Sequence, residues 1–165
     1  MPTVDELNEL TPDAVKRELR ACCASARWIE AVAAARPYAG EPALLAASDD
    51  AVASLTDADL REALDGHPRI GDRRVEAGSL SGQEQAGVRG ADDSLRHALD
   101  AGNAEYESRF GHIYLACATG RSASELLALL RERLANDPGT EWRVVASELT
   151  KINQIRLRKL LGATE

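Results

Sequence analysis

Apolar residues recur at helical spacing along most of this chain, and helix-start signals stand at the polar breaks between them. Thr3-x-x-Glu6 has the spacing of a capping box, in which two orphaned backbone N–H groups are satisfied reciprocally. Thr11-Pro12 places a cap before a proline at the first helical position, and that helix is expected to run to about Cys23. Further helices are expected over 24–35, stopped by Arg36-Pro37, and over 42–54. Thr56 caps another, closed by Gly66 as a C′ glycine. Residues 66–80 lack apolar periodicity and hold Gly and Pro, so they read as a loop. Ser81-x-x-Glu84 then opens a helix, and a longer one is expected over 91–108 with Leu95, Leu99 and Tyr106 near one face. The apolar run 110–118 fits a short helix or a buried strand, since periodicity does not separate the two. Ser122-x-x-Glu125 caps 123–135, Asn136-Asp137-Pro138-Gly139 breaks the chain, and a last helix covers 140–161. The expected core holds Leu19, Trp28, Ile29, Leu44, Leu60, Leu64, Leu95, Leu126, Leu130, Val145, Leu149 and Ile152. The fold class is all-α, a compact single-domain bundle of about seven to nine helices over residues 1–165.

Composition agrees with the pattern. Ala and Leu outnumber Val and Ile by 50 to 13, and β-branched residues are the ones that favour strands. Charge narrows the classes of partner. The chain has 20 Lys and Arg against 27 Asp and Glu, a net of −7, and no basic run, so nucleic acid is not an expected partner. No stretch approaches the ~20 apolar residues of a membrane span, and the acidic start, Met1 to Glu6, is unlike a signal peptide. Cys22, Cys23 and Cys117 match no zinc spacing and read as reduced, small core residues of a cytoplasmic protein.

Candidate chemistry is sparse. His67, His97 and His112 show no paired ligand spacing, and no metal site is expected. His67 is the informative one. It follows a helix end on a loop stiffened by Pro68, and an imidazole held there suits general acid–base work; packing or capping is the simpler use of the same residue. Glu84 fits either a local capping box with Ser81 or a carboxylate reaching into a cleft. Arg156 sits between Ile155 and Leu157, where it can point inward toward an anionic ligand. No phosphate-binding loop and no nucleophile elbow is present.

Taken in order, these residues form a known series. Trp28 with Arg36-Pro37-Tyr38 comes first, then His67-Pro68-Arg69-Ile70-Gly71 and Ser81-x-x-Glu84-Gln85. Asn103-x-x-Tyr106-x-x-x-Phe110-Gly111, Cys117-Ala118 and Gly120-Arg121-Ser122 follow. Arg133-Leu134-x-Asn136, Glu141, Glu148, Ile152 and Arg156-Leu157 close the series. The whole resembles the 2-oxo-4-hydroxy-4-carboxy-5-ureidoimidazoline (OHCU) decarboxylases of urate breakdown. The resemblance implies an all-α fold and a cofactor-free carboxy-lyase that acts on a small molecule, OHCU, and gives (S)-allantoin. It implies His67 as the catalytic histidine, Glu84 as its carboxylate partner and Arg156 as a substrate-binding arginine. It further implies that Pro68, Ser81, Gly82, Gln83 and Gln85 line the substrate, joined by Tyr114, Leu115, Ala116, Cys117 and Ala118, largely through backbone atoms. A homodimer is an expectation of the resemblance alone. The terminal Ala163-Thr164-Glu165 is not a peroxisomal address, in keeping with a cytoplasmic protein. The alternatives are a related lyase acting on another ureido or imidazoline acid, and a helical interaction module without catalysis.

Overall fold

A computed structural model describes residues 1–162, so the expectation about Ala163-Thr164-Glu165 lies outside the described residues. Those residues form nine α-helices and one 3-10 turn, with no strand among them. The chain divides into two compact units, Met1–Gly66 with Leu149–Glu165, and His67–Glu148.

The first unit contains α1 (Val4–Glu9), α2 (Pro12–Arg20), α3 (Ala26–Ala34), α4 (Glu41–Ala53), α5 (Asp57–Asp65) and the C-terminal half of α9 (Pro138–Leu160). The caps read from the sequence are in place. Thr3 and Thr56 form full capping boxes, and Thr11 accepts the Ala14 N–H ahead of Pro12. Gly66 departs from expectation: its φ is −82°, so α5 ends in a right-handed turn. The helix opened by Thr11 stops at Arg20, which leaves Cys22 in the following turn and Cys23 just beyond it.

Helix α3 packs against both α2 and α4. Its Trp28, Ile29 and Val32 are buried with Val15 and Leu19 of α2 and Leu44 of α4. One polar residue shares the buried face of α4, because Trp28 Nε1–H donates to Ser48 Oγ at 3.2 Å. A buried indole N–H left unpaired costs roughly 1–3 kcal/mol, as much as burying a leucine contributes. The Arg36-Pro37-Tyr38 series has a scaffolding role. Arg36 Nη1 donates to the carbonyls of Leu7 and Leu10 at 2.9 and 2.7 Å. Asn8 and Tyr38 exchange two hydrogen bonds of 2.8 and 3.0 Å, so the α3–α4 loop is clamped onto α1.

The second unit contains α6 (Leu80–Glu84), a 3-10 turn (Ala86–Val88), α7 (Asp93–Phe110), α8 (Ala123–Arg133) and the N-terminal half of α9. Helices α7 and α8 pack together, and Leu99, Tyr106, Leu126, Leu127 and Leu130 form their core with Ile70, Val88 and Tyr114. Gly102 makes the close approach. A Cβ there would stand 3.1 Å from Leu130 Cδ2.

Of the expected core, all but Leu95 are buried. Leu95 is half-buried, since it lies in the first turn of α7 at the rim of the cluster. The chain breaks between α8 and α9 as expected, but the last helix starts at Pro138, two residues before the expected 140. Asp137 accepts the Thr140 N–H at 2.9 Å and Pro138 becomes the first residue of α9. A proline lacks only an N–H that the first turn leaves orphaned anyway.

Three buried tyrosines predict alkaline lability. Burial raises Tyr38 from 10.0 to about 12, and raises Tyr106 and Tyr114 as well. The unfolded chain therefore loses phenolic protons before the folded one does. Stability is unaffected below pH 10.0 and falls as pH rises toward the folded value, about 12 for Tyr38. Tm measured against pH, with tyrosinate absorbance recorded alongside, checks this. A flat Tm from pH 9 to 12 contradicts it.

Candidate active site

The loop after α5 is tied down at several points. His67 and Pro68 are half-buried. Ile70 enters the core of the second unit, and its carbonyl accepts Asn103 Nδ2–H at 2.9 Å. Gln85 spans the loop with both ends of its amide. Its Oε1 accepts the Gly71 N–H at 2.9 Å and its Nε2 donates to the Arg69 carbonyl at 3.2 Å. Gly71 takes a left-handed φ of 85°, which turns the chain there at little cost. A histidine on a loop fastened this way loses little further entropy on engaging a ligand.

The cap of α6 is Ser79, whose Oγ accepts the Gly82 N–H at 3.0 Å. Ser81 is therefore inside the helix and Glu84 is its last residue, so the capping-box reading of Ser81-x-x-Glu84 is corrected. Two serines in three residues offered the chain two caps. Starting the helix two residues earlier takes Glu84 out of the capping-box position. Its carboxylate is instead buried, with 8% of the residue exposed.

Glycines seat this helix. A Cβ on Gly82 would lie 1.9 Å from the Glu76 carbonyl oxygen, so the 76–77 backbone presses directly on α6. A Cβ on Gly87 would lie 2.2 Å from the Arg121 carbonyl oxygen, which brings the 3-10 turn against the backbone before α8.

The run 110–118 is neither of the two expected elements. Helix α7 continues through Phe110, Gly111 ends it with a φ of 77°, and residues 113–118 are irregular. Tyr114, Leu115, Ala116 and Ala118 are buried nonetheless, and Cys117 is half-buried. The Tyr114 hydroxyl donates to the Leu126 carbonyl at 2.9 Å, and the Ala118 carbonyl accepts the Arg121 N–H at 3.0 Å.

Electrostatics join this segment to α6. Burial pushes the Cys117 thiol up, and the negative charges of Glu148 and Glu84 push it further. Cys117 therefore stays a neutral thiol, unsuited to attack as a nucleophile. Cys117→Ser is expected to keep turnover within about threefold of the parent, because only the thiolate is strongly nucleophilic. Steady-state kinetics check this, and a hundredfold loss contradicts it.

The remaining expected residues divide between other places. Gln83 is exposed and donates to the Gly78 carbonyl at 3.1 Å. Pro68 and Ser81 line a concavity of about 490 Å³ with Arg74, Glu76 and Ser79. Gly82 and Gln85 line another of about 440 Å³ with Gly71, Val88, Arg89 and Arg96. Both volumes fall within the range of small-molecule sites.

Arg156 belongs to the first unit. It points inward as its apolar neighbours suggested, is 6% exposed, and its Nη1 donates to the Cys22 carbonyl at 3.1 Å. Its positive charge favours the Cys23 thiolate, but burial is the larger effect and raises that thiol. Asn153, one turn earlier, is fully buried beside Cys23.

His97 is exposed on α7. His112 is packed among aromatic rings, 4.9 Å from Trp142 and 5.5 Å from Tyr106 between centroids, a structural placement. Among the described residues no group of three or more His, Cys, Asp or Glu side chains gathers as a ligand set. Among the described residues no helix is long and apolar enough to cross a membrane.

Sequence reasoning missed the Ser79 cap, the close backbone approach at Gly87 and the contacts of Arg133 with Glu141. The serine pair 79 and 81 was the available signal for the first. A glycine followed by a valine in a helical stretch was a faint one for the second.

This arrangement has relatives. A family model described as OHCU decarboxylase matches residues 8–158. The chain is 32% identical over 136 residues to the 2-oxo-4-hydroxy-4-carboxy-5-ureidoimidazoline decarboxylase of Amia calva, covering 79% of this chain and 78% of that one. It is 30% identical over 152 residues to the uric acid degradation bifunctional protein TTL of Arabidopsis thaliana. That match covers 88% of this chain but 47% of the plant protein, so the chain spans about half of that relative's length. A crystal structure of OHCU decarboxylase in the presence of (S)-allantoin superposes with a TM-score of 0.75 at 28% identity, over 88% of this chain and 98% of that one. A crystal structure of (S)-allantoin synthase shares the fold with a TM-score of 0.76 at 19% identity, over 99% of this chain and 56% of that one. The family match spans both the His67 loop and Arg156, and this chain belongs to the OHCU decarboxylase family.

Proposed function

We propose that this chain decarboxylates OHCU to (S)-allantoin, with His67, Glu84 and Arg156 as the working residues. The observation that carries the reading is Glu84. It is a buried acidic residue at the end of α6, its charge felt at Cys117, in a unit that begins at His67. Family membership supplies the substrate class.

The substrate carries its carboxylate on a carbon that also bears a hydroxyl, next to an imine carbon. When the bond to the carboxylate breaks, its electron pair moves into the adjacent C=N system and CO₂ leaves. The electron sink is therefore in the substrate, and the step balances without an added redox partner. The enol that remains takes a proton on carbon, and delivery from one face sets the chiral centre. His67 holds the hydroxyl or carboxylate end and exchanges the proton there. Glu84 positions His67 and the substrate, and a carboxylate near an imidazole favours its protonated form.

Arg156 serves best at the enolate or ureido end. Stabilising the ground-state carboxylate there would raise the barrier to its loss. Pro68, residues 81–85 and the backbone of Tyr114 to Ala118 complete the proposed lining. The three free cysteines fit a reducing, cytoplasmic compartment, and a homodimer rests on the resemblance alone.

Circular dichroism on freshly generated substrate tests the reading. Urate is oxidised in the cuvette by uricase and the following hydrolase, and the purified protein is then added. Rapid appearance of optically active allantoin is the expected result. Decay at the spontaneous rate in the presence of the protein overturns it.

A further inference from the structure

The segment Tyr114–Ala118 is largely buried yet belongs to no regular element. Buried backbone groups outside helices and sheets need partners from elsewhere. For Leu115 the partner is a charged side chain: its carbonyl accepts Arg133 Nη1–H at 2.6 Å. The Arg133 guanidinium also lies 4.9 Å from the centre of the Tyr114 ring. Its Nε–H faces both oxygens of Glu141, at 2.6 and 3.0 Å. The two side chains are 3% and 0% exposed.

A stability role is a weak account of this pair. Well-packed apolar residues of similar volume often replace a buried ion pair at no loss. Apolar residues cannot, however, donate to a carbonyl in an irregular segment. A fork held in place by one carboxylate can, and it leaves the direction of that carbonyl little freedom. The neighbouring Cys117 feels the charge of Glu84, so a shift of this segment changes the surroundings of that carboxylate.

We propose that Arg133, oriented by Glu141, is a positioning residue that sets the backbone of Tyr114–Ala118 for substrate binding. This rests on the reading of that segment as part of the substrate lining. Arg133 touches no substrate in this account. It acts through the Leu115 carbonyl.

The test uses the double variant Arg133→Met/Glu141→Leu, which removes the donor without stranding a buried charge, and Arg133→Lys, which keeps the charge but loses the fork. Tm, KM and kcat on freshly generated OHCU, and backbone amide exchange are measured for each. The double variant is expected to fold, with amides of residues 115–118 exchanging at least about tenfold faster while those of α7 are unchanged. Its KM is expected to rise at least about tenfold with a smaller change in kcat, the signature of lost binding contacts. Arg133→Lys should fall between the double variant and the parent, and it carries the test if the double variant does not fold.

A folded double variant with parental KM and parental exchange at 115–118 overturns the proposal. So does a parental Arg133→Lys where only that variant folds. If the parent itself does not turn over OHCU, the functional reading fails separately, and unchanged exchange at 115–118 would then refute the positioning role on its own.

Discussion

His67→Ala is expected to lower kcat by about 10²–10⁴-fold, the usual contribution of a positioned acid–base group, and to change KM much less. The residue is half-buried at the start of a loop that Gln85 fastens through Gly71 and Arg69, and Asn103 through Ile70. Removing the imidazole leaves those contacts in place, so Tm should move by no more than a few degrees. A folded but inert protein is the expected outcome. Allantoin formation followed by circular dichroism at saturating substrate, with a thermal melt of the same sample, measures both. Turnover within tenfold of the parent would remove His67 from the mechanism. The same outcome would leave the fold and family assignment untouched, since both rest on the whole chain.

Glu141→Leu alone is expected to destabilise the protein by about 3–5 kcal/mol, because it leaves Arg133 charged, buried and without its counter-ion. Arg133 has little recourse to water at 3% exposure, and its remaining hydrogen-bond partners are the Leu115 carbonyl and the Tyr106 hydroxyl at 3.5 Å. Arg133→Met/Glu141→Leu removes both charges together. It is expected to recover most of that loss, since the desolvation penalty disappears with the ions. Urea denaturation of the two variants and the parent gives the comparison. Equal stability of the single and double variants would show that the pair is not coupled as the geometry requires. The contrast also separates stability from function: the double variant should be stable and bind substrate poorly, whereas a purely structural pair would lose or keep both together.

Much of the scaffold was legible from residue spacing. Thr3, Thr11, Thr56 and Ser122 cap the helices that their spacing indicated, and Ser122 does so with Glu125 in a full capping box. These signals are local: a cap and its N–H lie three residues apart and form within one turn. Where the reading went astray, two local signals competed. Ser79 and Ser81 both suit a cap, and the choice between them turned on the 76–77 backbone lying against Gly82. The run 110–118 is apolar for a third reason beyond helix or strand. Its residues 113–118 form an irregular core segment whose polar backbone is answered in part by distant side chains, and no period in its own sequence records that.

The candidate site divides in the same way. The placement of His67 on a stiff loop after α5 follows from Gly66, Pro68 and the end of a helical pattern, all adjacent in the chain. Its proposed role came from the ordered series of motifs, because spacing alone favoured packing or capping. The inward turn of Arg156 was readable from its two apolar neighbours. That Glu84 is a buried carboxylate rather than a cap required the tertiary structure. So did the contacts of Arg133 with Leu115 and Glu141, which join residues 18 and 8 positions apart.

Helical class, most caps, nearly all of the core and the family were legible in the chain alone, because each is written in short-range spacing or in ordered motifs. Only the folded chain settles which serine begins α6, how residues 114–118 are held and that Glu84 is buried. These depend on the cost of burying unpaired polar groups, and that cost is set by partners which only the folded chain brings within reach.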